Sequence, residues 1–157
     1  TTAGMNHGTA QDFGRPVEIL LAEDSPTDAK LAEEAIAASS LAARIHHVSD
    51  GLAALAFLRQ EGEYKSAPRP DLILLDLKMP RMDGLEVLEE IQDDERLSLI
   101  PVVALTTSSA EDEVSKAYRL GANCYVIKPI DFRQFMQSIE STLRFWCTIA
   151  CLPPASG

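Results

Sequence analysis

The strongest constraint on this chain is an alternation that starts at Pro16: short apolar runs, each followed by a longer amphipathic stretch. The runs are Val17–Ala22, Arg44–Val48, Asp71–Leu75, Val102–Leu105 and Cys124–Ile127. Four of the five are nearly continuous in apolar residues, the pattern of strands covered on both faces of a parallel sheet. The second carries Arg44, His46 and His47 and reads as an edge strand. Its two histidines are adjacent, so they point to opposite faces and cannot chelate one ion together; they read as a solvated pair.

The intervening stretches have helical spacing. Ser25-Pro26-Thr27-Asp28 offers an N-cap, a proline at the first helical position and an acid in the first turn. Leu31, Ala32, Ala35 and Ile36 then repeat on one face. Leu52, Leu55 and Ala56 follow in the second stretch, Leu85 and Leu88 in the third, and Val114, Ala117 and Tyr118 in the fourth. Phe132, Phe135, Met136, Ile139 and Leu143 form the last stripe, and Gly121 supplies a left-handed stop to the fourth helix. Glu61–Pro70, with Gly62, Pro68 and Pro70, reads as a loop. Five strands alternating with five helices predict a doubly wound α/β domain with a parallel sheet. The division expected is a flexible tail over Thr1–Arg15, the domain over Pro16–Arg144 and an apolar extension over Phe145–Gly157.

Ligands of such sheets bind outside the carboxyl ends of the strands, so the residues that end each run are informative. Glu23 and Asp24 follow the first, Asp76 the third, Thr106 the fourth, and Lys128-Pro129 the fifth. A polar residue at one strand end is ordinarily a cap or is solvated; here four strands deliver complementary groups to one edge. Three carboxylates against one lysine leave a local charge near −2, which calls for a hard divalent cation such as Mg²⁺. Asp76 is then a carboxylate nucleophile able to form an aspartyl-phosphate, with Lys128 supplying charge and Thr106 a hydrogen bond.

These residues resemble a known family. Glu23-Asp24, Leu75-Asp76-Leu77-Lys78-Met79-Pro80-Arg81-Met82-Asp83-Gly84, Leu105-Thr106-Thr107 and Lys128-Pro129 are similar to the receiver domain of bacterial two-component response regulators, over about Val17 to Leu143. The resemblance implies a flavodoxin-like sheet in strand order 2-1-3-4-5, and that Asp76 takes a phosphoryl group from a phosphohistidine on a histidine kinase. It implies Mg²⁺ on Asp24, on Asp76, on Glu23 through water and on the backbone carbonyl of Lys78. Lys128 would meet the phosphoryl oxygens, its bond to Pro129 would be cis, and Thr106 and Tyr125 would be the switch residues. Phe57–Tyr64, Ala67–Leu72, Gly121–Tyr125, Phe145-Trp146 and Leu152-Pro153-Pro154 resemble the single-domain branch paired with phytochrome-type photoreceptor kinases. Lys78 is a departure, because receivers often carry a neutral polar residue there.

Two alternatives stay open: a receiver-like binding module that ignores phosphate, and a phosphatase working through an aspartyl intermediate. Lys78 stands where such a phosphatase places its general acid. The chain holds 24 acidic and 14 basic residues, net −10, a field that opposes nucleic acid. No apolar run approaches bilayer length and no signal-peptide layout is present, so the expectation is a cytoplasmic protein without a membrane partner. Cys124, Cys147 and Cys151 lack the count and spacing of a disulfide or metal framework. The apolar run from Phe145 to Leu152 outreaches the sheet and predicts a homodimer.

Overall fold

A computed structural model of the chain describes residues 15–39, 41–107, 111–129 and 131–149. The strands are β1 (Val17–Ala22), β2 (Ala43–Val48), β3 (Leu72–Asp76), β4 (Val102–Thr106) and β5 (Cys124–Ile127). Between and after them run α1 (Pro26–Ala38), α2 (Gly51–Arg59), α3 (Gly84–Gln92), α4 (Glu111–Arg119) and α5 (Phe132–Arg144). All pairings are parallel, as the alternation predicts, and the order β2-β1-β3-β4-β5 is the one the family resemblance implies. The loop expected over Glu61–Pro70 contains a single 3-10 turn at Gly62–Tyr64.

Period-two alternation divides the core into two layers. Val17, Ile19, Leu21, Leu72, Leu74, Val103 and Leu105 pack with α1 and α5 on one face. Leu20, Ala22, Ile73, Leu75, Val102 and Ala104 pack with α2, α3 and α4 on the other. Both faces of the three central strands are therefore out of water, which is why their runs are apolar without interruption.

Local chemistry sets the helix starts. Ser25 caps α1 by accepting from the Asp28 N–H at 3.2 Å, with Pro26 in the first turn. Asp83 and Glu86 form a reciprocal capping box on α3, and Asp131 caps α5. Gly121 has φ +102° and follows α4 as the left-handed stop.

Three expected core residues face water instead: Leu52, Tyr118 and Phe132. In α2 the buried stripe is Ala54, Leu55, Phe57 and Leu58, one step round from the expected face. Phe132 opens α5 and is 65% exposed. Helical side chains lean toward the N-terminus, so the first one overhangs the helix rather than the sheet. Arg15, at the end of the expected tail, is instead held in place: its guanidinium donates to both oxygens of Asp71 at 2.8 and 3.0 Å. Asp71 also accepts the Glu18 N–H at 2.8 Å, joining the starts of β1 and β3. The rest of that tail, residues 1–14, and residues 150–157 of the expected extension lie outside the described residues.

Gly84 lets α3 start hard against the end of β3. A Cβ there would lie 2.5 Å from the Asp76 carbonyl oxygen and 2.6 Å from the Leu77 Cα, both backbone atoms with little room to yield. Gly84→Ala is expected to cost about 1–3 kcal/mol in denaturant unfolding, the range for overpacking a tight site.

Candidate functional site

The reversal of strand order falls between β1 and β3, where Ala22 pairs with Leu75. The next residue on each strand is an acid, so register alone brings Glu23 beside Asp76. One ligand atom from each of Glu23, Asp24 and Asp76 falls within a 4.8 Å cluster. Glu23 and Asp76 are 1% and 4% exposed, whereas Asp24 faces solvent. Lys128 enters from the end of β5, its N–H held by the Thr106 carbonyl at 2.7 Å. Its buried ammonium donates to Glu23 Oε1 at 2.6 Å, Asp28 Oδ2 at 3.1 Å and Asp76 Oδ2 at 3.2 Å. The Lys78 N–H donates to Asp76 Oδ1 at 3.1 Å, while the Lys78 side chain is exposed.

The pKa values follow from this crowding. Burial and a hydrogen bond shared with Asp76 push the Glu23 carboxyl up to about 8, against the opposing pull of Lys128. Burial disfavours the Lys128 ammonium, but the Glu23 hydrogen bond and the charges of Asp76 and Glu23 outweigh it and hold its pKa above the usual value. Burial, then Glu113, raise the Tyr125 phenol to about 12.

Every residue expected at the site stands at this end of the sheet. Two partners were not evident in the sequence. Asp28 reads there as an acid in a first helical turn, yet it reaches Lys128. Its spacing of four from Asp24, one helical turn, was the available signal. Glu113 accepts from the Tyr125 hydroxyl at 2.7 Å and from the Thr106 hydroxyl at 3.2 Å. No spacing rule points to it, because the path from β4 to α4 is set by tertiary packing. The Lys128–Pro129 bond is not cis: no cis peptide bond occurs among the described residues. Lys128 reaches its partners in the trans form, and an X–Pro bond keeps its intrinsic trans preference where nothing opposes it. His46 and His47 lie on opposite faces as expected but are not simply solvated. His46 Nε2 is 2.7 Å from Glu18 Oε1, and His47 Nε2 is 2.8 Å from the Glu23 carbonyl oxygen. Cys147 is buried, and burial pushes its thiol up to about 12, so it is not a poised thiolate; Cys151 lies outside the described residues.

Buried carboxylates crowding one ammonium at a switch point define an acidic pocket of the doubly wound α/β class, with an excess of negative charge that a cation would balance. The chain belongs to the response regulator family: the model of the response regulator receiver domain matches residues 19–140. It is 45% identical over 140 residues to response regulator Rcp1 of Synechocystis sp., covering 89% of this chain and 95% of the relative. The solved Mn(2+)-bound form of Rcp1 superposes with a TM-score of 0.85 at 45% identity, covering 88% of this chain and all, 100%, of that one. The phosphorylated cyanobacterial phytochrome response regulator RcpA matches with a TM-score of 0.86 at 46% identity, over 88% of this chain and 99% of its own. The chain is thus a receiver of two-component signalling, and Glu23, Asp24 and Asp76 form an acidic cluster that could hold a divalent cation. Among the described residues no helix is long and apolar enough to cross a membrane.

The raised Glu23 pKa gives stability a pH dependence of definite sign. Between the ordinary 4.5 and about 8 the folded state holds a proton that the unfolded state has lost. That contribution is complete at low pH and fades as pH rises through the upper value. In chelator, melts at rising pH are expected to show wild type losing stability relative to Glu23→Gln. Added divalent metal competes with the same proton, so its stabilising shift should grow with pH in wild type.

Proposed function

We propose that Asp76 accepts a phosphoryl group from the phosphohistidine of a histidine kinase, in a Mg²⁺-dependent reaction. The observation that carries this is the Asp76 carboxylate itself: 4% exposed, 3.2 Å from the Lys128 ammonium and clustered with Glu23 and Asp24. An Asp76 oxygen forms the new bond to phosphorus while the phosphorus–nitrogen bond to the kinase histidine breaks, its electron pair leaving on the imidazole. A carboxylate nucleophile requires no general base. Lys128 meets charge on the phosphoryl oxygens, and the Thr106 hydroxyl can donate to them once it turns from Glu113.

The donor set suits Mg²⁺, a hard cation that takes one or two carboxylates alongside water and phosphate oxygens. Glu23, Asp24, Asp76 and the backbone carbonyl of Lys78 would hold it. Bound there, it would neutralise the acid cluster and the incoming phosphoryl group. Thr106 and Tyr125 then form the switch that reports phosphorylation to a protein-binding surface, and the chain's chemistry is its own phosphorylation and dephosphorylation. The exposed Lys78 side chain gives no support to the phosphatase alternative.

We read the kinase as a phytochrome-type photoreceptor and the exchange as cytoplasmic; the likeness to the phytochrome response regulator RcpA and the loop sequences above support the choice of kinase. Incubation with Mg²⁺ and a small-molecule phosphodonor is expected to add one phosphoryl mass to wild type and none to Asp76→Asn. Equal labelling of both by intact-mass measurement would refute the assignment.

The second part of the reading is a homodimer through the C-terminal end. After α5 the chain continues as a π-helical turn, Phe145–Ile149. Phe145 is exposed and meets Trp146 edge-on at 5.3 Å, while Cys147 turns inward. Trp146→Glu is expected to yield a monomer by light scattering while Asp76 still labels. A wild type that stays monomeric at high micromolar concentration would exclude the dimer.

A further inference from the structure

We infer that Glu113 is a positioning residue for the phosphoryl reaction: it holds the Thr106 and Tyr125 hydroxyls on α4, so that Thr106 must leave Glu113 before it can serve the phosphoryl group. The inference rests on the reading of Asp76 as acceptor and adds to it a residue that sets the resting state of the switch.

The geometry is specific. One oxygen, Glu113 Oε1, accepts from both hydroxyls, at 2.7 Å from Tyr125 and 3.2 Å from Thr106. Thr106 is 0% exposed, so water does not substitute for a lost partner there. On β4 it is one residue past Leu105, the partner of Asp76 across the sheet, and its own carbonyl holds the Lys128 N–H. It therefore ends β4 at the acceptor's edge of the sheet, with its hydroxyl bonded to Glu113.

A hydroxyl has one proton to donate. A Thr106 proton engaged by the Glu113 carboxylate is not given to a phosphoryl oxygen on Asp76, so those two uses exclude each other. Charge sharpens the choice, because a phosphoryl group brings negative charge toward a carboxylate already in the neighbourhood. The Tyr125 phenol, with its raised pKa, stays a donor throughout the physiological range and so belongs to the same bridge.

The bridge also has consequences for α4. Ala117 is the one buried residue of that helix, and the rest of its nine-residue length is half-buried or exposed. With so little apolar surface docked, polar contacts from its first turn to β4 and β5 are a large part of what holds it. Release of Thr106 from Glu113 thus loosens α4 and frees the Tyr125 ring together, converting a charge change at Asp76 into a change of surface.

The test is beryllofluoride, a phosphoryl mimic, titrated in Mg²⁺ with binding read by calorimetry. Removing the competing acceptor in Glu113→Ala is expected to tighten beryllofluoride about tenfold, within the usual range of coupling between sites. Glu113→Gln, which keeps the shape and an oxygen acceptor but not the charge, should give a smaller gain in the same direction. Mg²⁺ affinity alone should not change. In a Thr106→Val background, Glu113→Ala should bring no gain, since the effect runs through that hydroxyl. Equal or weaker binding by both Glu113 variants would overturn the inference, as would a gain that survives in Thr106→Val. If wild type bound no beryllofluoride at all, the acceptor reading itself would fail.

Discussion

The Lys128 ammonium touches three carboxylates, Glu23 at 2.6 Å, Asp28 at 3.1 Å and Asp76 at 3.2 Å, and the organisation of the pocket follows from that imbalance. With Asp24 at the rim, four acids share one buried cation. Like charges at this spacing repel, and burial removes the water that would screen them. Burial first, and then the hydrogen bond shared with Asp76, raise the Glu23 pKa, so uptake of a proton there relieves part of the excess. An arrangement of this kind detracts from stability in the resting protein. Its use is that a divalent cation would bring the positive charge the cluster lacks, so binding would relieve what folding has compressed.

The sheet makes such compression tolerable. Two apolar layers, one on each face, bury nearly every side chain of the three central strands. Burial on that scale is the dominant favourable contribution to folding and can offset a locally unfavourable site. Fine placement comes from short-range sterics: α3 starts against the backbone of Asp76 because Gly84 has no Cβ. At the opposite end of the sheet, Arg15 and Asp71 link β1 to β3, so the strands bearing Glu23 and Asp76 are tied at both ends.

Rigidity gives way on one side of the pocket. The α1 and α5 face is closely packed, whereas α4 on the other face buries a single alanine. Its tie to the sheet is largely polar, through Glu113 to Thr106 and Tyr125. Hydrogen bonds to a carboxylate are strong while made but can be exchanged for another anion at small net cost, unlike a packed core. A receiver needs one such exchangeable region beside an unyielding acceptor, and the uneven packing of the two faces supplies it.

Sequence alone determined the class of fold and the principal site residues. Period-two and helical spacing are local properties, and strand ends of a parallel sheet converge on one edge whatever the details, so Glu23, Asp76, Thr106 and Lys128 could be read directly. Turn chemistry was equally legible at Ser25 and Gly121. The tertiary structure decided what depends on contacts between distant segments. Leu52, Tyr118 and Phe132 carry apolar side chains, yet only the rotation and overhang of each helix against the sheet sends them to water. Asp28, Glu113 and Arg15 are ordinary surface residues in the sequence. Their partners lie 100, 12 and 56 residues away along the chain. A hydrogen bond across that separation exists only once packing has brought its two ends within 3 Å or so, and no local pattern encodes it.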